Sequence, residues 1–299
     1  MTLAILLAFG AMISWGVGDF LIQKTIKQVG WLETMWWIYV GSFIFLLPFV
    51  IKNLMAITWL DFAILAILGL ATFFSVVTHF KALEIGKLSV VEIILSFELP
   101  LTIILGVVFL NNQLFFYQIA LIATLFSGVA LLSIDFNRMH RRWFQFLFFW
   151  QKKRIVLERG VILAILTAIL LSLTSFFTAV GATRLDPILV IWLSWTLGGI
   201  VCLAYLGYQK KIKSTLKGGS ANWRLILIMV IVDIAAWLFF TYSLSAGEEL
   251  VVVAAITGSY VVIAMLLGLR FNKEKIRGWQ YVGAGVAFTA SILIGIFSK

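Results

Sequence analysis

Residues 82–113 read ALEIGKLSVVEIILSFELPLTIILGVVFLNNQ, and residues 243–274 read SLSAGEELVVVAAITGSYVVIAMLLGLRFNKE, a constant offset of 161. Leu83, Gly86, Val90, Val91 and Asn111 of the first stretch return as Leu244, Gly247, Val251, Val252 and Asn272 of the second. Self-similarity at a fixed offset marks a duplicated chain. Each stretch carries an apolar run long enough to cross a bilayer, which takes about 20 residues as a helix. The first run holds Glu98 and Pro100 at mid-length, and the second holds Thr257, Gly258, Ser259 and Tyr260 at the matching place. Polar and helix-breaking residues at the same depth of two related runs point to a site built between the copies.

Outward from these stretches, apolar runs separated by charged or Gly/Asn-containing breaks number ten, at about residues 3–22, 31–51, 58–80, 88–110, 114–135, 159–182, 187–208, 222–246, 250–270 and 277–297. With 63% apolar and 12% charged residues and a mean hydropathy of +1.09, a soluble domain is excluded, since ordinary globular chains carry about 25% charge. A second offset near 158 sets Ser14 over Ser172. Each half holds five runs, an odd number, so the two copies must enter the membrane in opposite orientations. The expected fold is therefore all-α and integral to the membrane, ten transmembrane helices as two inverted-topology five-helix repeats. Residues 1–136 form the first repeat and 159–299 the second. Residues 137–158 are a basic aromatic linker, with Trp143 to Trp150 lying at headgroup depth between flanking cations.

Local signals mark two helix starts. Thr58 with Asp61 three residues on resembles a capping box, and Asp186 before Pro187 reads as an N-cap followed by proline at the first helical position. The first run lacks a basic leader and an A-x-A cleavage site, so it reads as an anchor. With ten spans, the termini share a side with Lys52 and Arg184, and that side holds three cations with Lys299; the other holds the remaining 20 of 23. By the positive-inside rule the linker is cytoplasmic and the termini are outside the cell membrane.

The net charge of +10 does not imply nucleic acid, because the cations lie in short connections between apolar runs. The single cysteine, Cys202, excludes an internal disulfide and a thiolate cluster. There is no H-E-x-x-H, no second intramembrane histidine and no P-loop, so neither an intramembrane enzyme nor an ATP-driven pump is expected, and no metal or cofactor.

Ionisable groups inside a span cost about 2.5–3.5 kcal/mol each on insertion scales, so each is a functional candidate. Glu98 and Asp233 fall near the midplane of their runs and are the proton-coupling candidates. Asp19, His79 and Glu92 fall closer to the cationic side and read as gate or interface groups at the edge of the cavity. Pro100 would free the carbonyl of Ser96 beside Glu98. Further cavity candidates are Ser14, Trp15, Trp37, Ser172, Ser175, Trp192, Thr257, Ser259 and Tyr260, with Trp195 beside them. In spans, Ser, Thr and Gly serve helix packing as well as ligand contact, and both readings stay open for each of these.

Two pieces, ISWGVGDFLIQK at 13–24 and the 82–113 stretch, resemble the drug/metabolite transporter superfamily, in particular its EamA-like members, and the ten-span pattern extends the resemblance over nearly the whole chain. The family's glutamate shortly before a proline is matched by Glu98 and Pro100 with one extra residue between, and its second glutamate by Glu274 but by about Gln113 in the first half. Members usually have cytoplasmic termini, the reverse of the charge count. The resemblance implies a small-molecule transporter with its cavity between the halves.

The residues themselves lead to a secondary transporter working by alternating access on an amino acid or another cationic or zwitterionic metabolite. A carboxylate in a low-dielectric site can exchange a proton against substrate, so proton-linked export or exchange is expected. The alternatives are a proton-independent facilitator, a non-transporting scaffold or sensor acting through the linker, and a lipid flippase. Partners are the substrate, protons and membrane lipid; a monomer is the simpler expectation, because one chain already holds both halves.

Overall fold

The computed structural model describes residues 2–51, 57–86, 88–95, 97–111, 115–133, 160–247, 249–271 and 278–297; the linker 137–158 lies outside the described residues. Among these, the chain forms thirteen helices and no strand. They are α1 (Leu3–Val29), α2 (Trp31–Val50), α3 (Trp59–Ile85), α4 (Leu88–Leu95), α5 (Glu98–Phe109), α6 (Phe116–Ser133), α7 (Val161–Ala182), α8 (Pro187–Tyr208), α9 (Ile212–Ala221), α10 (Trp223–Ser245), α11 (Leu250–Thr257), α12 (Tyr260–Phe271) and α13 (Gly278–Phe297). Helices are what an apolar chain must form in lipid, where each backbone polar group needs a partner within its own segment. Among the described residues seven are long and apolar enough to cross a membrane, with α11 and α12 together counting as one.

The sequence signals at helix starts are realised. Thr58 caps α3 with the reciprocal Asp61 contact of a capping box. The Asp186 carboxylate accepts from the backbone N–H of Ile188 at 2.9 Å and of Leu189 at 3.3 Å, with Pro187 opening α8. Arg184 Nε donates to Asp61 Oδ1 at 3.0 Å, tying the α7–α8 turn to the start of α3. Gly30 is the single residue between α1 and α2, and its φ of 100° is one that side chains other than glycine rarely adopt.

Three expectations need correction. The runs 3–22 and 58–80 are helices of 27 residues each, because charged residues such as Lys24 and Lys81 continue the helix beyond the apolar stretch. The run 88–110 is two helices, α4 and α5, so Pro100 is the third residue of a new helix and not an interior kink, a place where its missing N–H has no intrahelical partner to lose. Between Tyr208 and Trp223 the sequence forms the additional helix α9, where only a basic connection was expected.

The breaks in the two repeats coincide. Phe97, between α4 and α5, and Gly258, between α11 and α12, stand at the same offset of 161 that aligns the sequences. Phe97 N–H donates to the Ile94 carbonyl at 3.1 Å, and Ser259 N–H to the Ile256 carbonyl at 3.2 Å, both tight three-residue turns. Packing follows the same exchange of halves. In one direction α1 packs on α10 and on α11 and α12; in the other α3 packs on α7, and α7 on α4 and α5. The self-related pairs α2 with α8 and α6 with α13 also meet. Hydroxyls join the halves: Ser243 Oγ donates to the Ala4 carbonyl at 2.8 Å, and Thr167 Oγ1 lies 2.8 Å from Thr78 Oγ1. Apolar side chains close the contact, with Met35, Leu189, Cys202, Met229 and Phe240 all buried.

Candidate functional site

A cavity lies where the halves meet, bounded by α1, α2, α3, α4 and α5 from the first and by α7, α8, α10, α11 and α12 from the second. Several helices contribute residues three or four apart, so that one face turns inward: Trp15, Asp19 and Ile22 from α1; Thr72, Ser75, Val76 and His79 from α3; Glu98 and Thr102 from α5; Leu171 and Ser175 from α7; Asp233, Trp237 and Phe240 from α10. The breaks matter here. Ending α4 at Leu95 and opening α5 at Glu98 places that carboxylate at the first turn of a half-helix, and Thr257, Gly258 and Tyr260 reach the same cavity from the other break.

Ser175 Oγ donates to Glu98 Oε1 at 2.8 Å, across the boundary between halves. Opposite stand Asp233, 6% exposed, and Asp19, also 6%. Asp19, His79 and Glu92 come together with one donor atom from each within 4.8 Å of the others, and His79 Nε2 is 3.4 Å from Glu92 Oε1. Tyr260 places its hydroxyl beside Glu92. The remaining wall is aromatic. Trp15 meets Trp237 edge-on at 5.2 Å and Phe240 at 5.2 Å, Trp195 meets Trp237 at 5.9 Å, and Tyr39 meets Trp195 at 6.2 Å. Among the described residues, the hydroxyls of Tyr39, Thr72 and Thr102 on this wall are buried without a hydrogen-bond partner. Buried polar groups are nearly always paired, so unpaired ones facing a cavity are poised for a ligand.

Of the residues singled out in the sequence, Glu98, Asp233, Trp15, Asp19, His79, Ser175, Thr257 and Tyr260 line the cavity. Asp19 and His79, which the sequence places towards the cationic side of their runs, line the cavity from α1 and α3. Six others lie off the wall. Glu92 sits behind His79, buried. Trp192 stacks on Phe43 and its indole N–H donates to the Phe43 carbonyl at 3.2 Å. Trp37 packs beneath α9 against Gly219. Ser172 donates to the Ile169 carbonyl of its own helix at 2.7 Å. Ser14 is half-buried, about 100° around α1 from Trp15, and Ser259 is buried in the second break. Ser96 lies outside the described residues, and Pro100 is placed only by its backbone.

The sequence reading missed Tyr39, Thr72, Ser75, Thr102 and Trp237. A signal was present for most of them: Ser75 is four residues before His79, Thr102 four after Glu98 and Trp237 four after Asp233, each one helical turn along the same face. Tyr39 has no such anchor.

A family model described as the EamA-like transporter family matches residues 2–134 and 158–296. No curated protein matches the chain in sequence. A solved crystal structure, 13% identical, superposes with a TM-score of 0.68 over 99% of this chain and 97% of its own, a likeness of fold.

Proposed function

This chain belongs to the EamA-like transporter family, a multi-pass membrane transporter of small molecules, and from that premise we propose that it carries an organic cation or zwitterion, such as an amino acid, by proton-linked alternating access. The observation that carries the substrate class is the cavity wall. Among the described lining residues, three carboxylates, Asp19, Glu98 and Asp233, face a box of Trp15, Trp195, Trp237 and Tyr39, and there is no Lys or Arg. Aromatic faces attract a desolvated cation by about 2 kcal/mol or more, and the carboxylates add the attraction of opposite charges.

Alternating access is supported by paired discontinuous helices at equivalent places in the two halves, which in secondary transporters set a central site about which the halves rock. On this reading the chain has ten spans in two inverted repeats, with α4–α5, α6 and α13 as spans beside the seven. Glu98 carries the coupling proton and Asp233 is the second candidate. The groups facing Glu98 are Ser175, Glu92, Asp19, His79, Asp233 and Tyr260. Uptake and efflux of amino acids and cationic metabolites in proteoliposomes with an internal pH probe test the proposal. Substrate-dependent proton movement is the expected result. Transport at full rate with no proton movement would leave a facilitator, and no transport of any such compound would remove the substrate class.

Orientation follows from the cations, with the Lys-rich turn around α9 in the cytoplasm. Native Cys202 is fully buried, so an introduced thiol reports alone. Ser214→Cys, exposed on α9, should react with an impermeant maleimide only from the cytoplasmic face. Thr183→Cys, exposed after α7, should react only from outside. The reverse pattern would turn the protein over.

A further inference from the structure

We propose that Asp19, His79 and Glu92 form a binding site for a divalent first-row transition ion at one corner of the cavity. The three come from α1, α3 and α4, and all are buried, at 6%, 8% and 2% exposure. One donor atom from each lies within 4.8 Å of the others. An ion bound to imidazole nitrogen and carboxylate oxygen at about 2.0–2.2 Å holds its donors roughly 3–4 Å apart, so small side-chain rotations close the set. His79 Nε2 and Glu92 Oε1, at 3.4 Å, already stand at that spacing.

A second observation points to a ligand independently of the cluster. Glu92 Oε2 is buried and makes no hydrogen bond within ordinary limits among the described residues, although the Tyr260 hydroxyl stands beside the same carboxylate. A carboxylate oxygen left so in a lipid-embedded protein carries a desolvation cost that a bound cation would offset. Asp233 and Glu98 add negative charge to the same cavity. The imidazole selects the class: hard ions such as Mg2+ and Ca2+ prefer oxygen alone, whereas Zn2+, Fe2+ and Co2+ accept nitrogen. Asp19 and His79 border the cavity while Glu92 sits behind them. An ion here has three protein ligands and an open position facing the cavity, the arrangement of sites that exchange a water or substrate ligand. The sequence offered no such motif, because the three residues are separated by 60 and 13 positions.

Titration of the purified full-length chain with Co2+, followed by its visible d–d bands, tests the assignment. One ion per chain is expected, displaceable by Zn2+. His79→Gln and Glu92→Gln should each weaken binding by more than the roughly 10–100-fold that loss of an outer-shell partner costs, and Glu84→Gln, exposed on α3 away from the cavity wall, should leave it unchanged. Absence of Co2+ bands in the wild-type protein overturns the proposal without any variant having to fold. So do bands that survive His79→Gln, bands lost equally in Glu84→Gln, or protection of this corner by tetramethylammonium with none by Co2+, which would assign it to an organic cation. The inference does not rest on the transport reading: a chain that moves amino acids with protons yet binds no Co2+ keeps the one and loses the other.

Discussion

Glu98→Gln is expected to abolish substrate-driven proton movement in proteoliposomes while substrate-for-substrate counterflow continues. Glutamine has the shape of a protonated glutamate and cannot release a proton, so it holds the site in one charge state. Its side-chain oxygen still accepts the Ser175 hydroxyl that meets Glu98 Oε1 at 2.8 Å, so the contact between α5 and α7 survives and the fold with it. Counterflow requires the loaded carrier to reorient in both directions and needs no change of protonation. Net transport against a gradient requires the cycle of binding and release, and falls to the background of protein-free vesicles. Ser175→Ala should alter the pH profile of transport, and Ser175→Thr, which keeps the hydroxyl, should restore it. If Glu98→Gln transports with an unchanged pH dependence, the coupling assignment fails, and Asp233→Asn is the variant to measure next.

The second large effect concerns packing. A Cβ on Gly16 would lie 2.5 Å from Ile263 Cβ, 2.7 Å from Ile263 Cγ2 and 3.0 Å from the Tyr260 carbonyl oxygen. Those atoms belong to or adjoin the backbone of α12 and cannot swing aside, so Gly16→Ala forces α1 and α12 apart. Overpacking of this kind costs about 1–3 kcal/mol, which exceeds or cancels the roughly 1 kcal/mol by which alanine favours a helix over glycine. Two residues on, a Cβ at Gly18 meets only Val232 Cγ1 at 3.8 Å, an ordinary contact, and the helix preference is left uncompensated. Gly16→Ala should therefore lower the melting temperature in detergent and Gly18→Ala should hold or raise it. Gly16→Val, with two more methyl groups against Ile263, should also cut transport, since Trp15 and Tyr260 on either side of the crossing line the cavity. Equal behaviour of the two alanine variants would show that α12 yields at no cost.

The Asp19 cluster illustrates why part of the site escaped the sequence. Depth along an apolar run singled out Glu98 and Asp233, and both line the cavity. It could not rank Asp19 and His79, because a helix does not end where hydropathy does: α1 and α3 carry their lysines onward for further turns, and both residues line the cavity. The tryptophans show the same limit. Trp15, Trp37, Trp192 and Trp195 are alike in composition and depth, yet only Trp15 and Trp195 face the cavity. Which face of a helix turns inward is set by its neighbours when every face is apolar and lipid is as good a solvent for leucine as the protein core.

By itself the sequence determined the membrane solvent, the helical class, the duplication at an offset of 161, the helix starts at Thr58 and Asp186, and the two central carboxylates. These follow from local chemistry: hydropathy, capping and the cost of charge in lipid act along the chain and can be read there. Tertiary structure alone decided that the breaks at Phe97 and Gly258 face one cavity, that Ser175 pairs with Glu98, and that Asp19, His79 and Glu92 share a corner. Those relations join residues far apart in the chain and depend on how helices rotate and cross. Rotation and crossing are settled by close packing at points such as Gly16 against Ile263, where fractions of an ångström decide and no sequence period records the outcome.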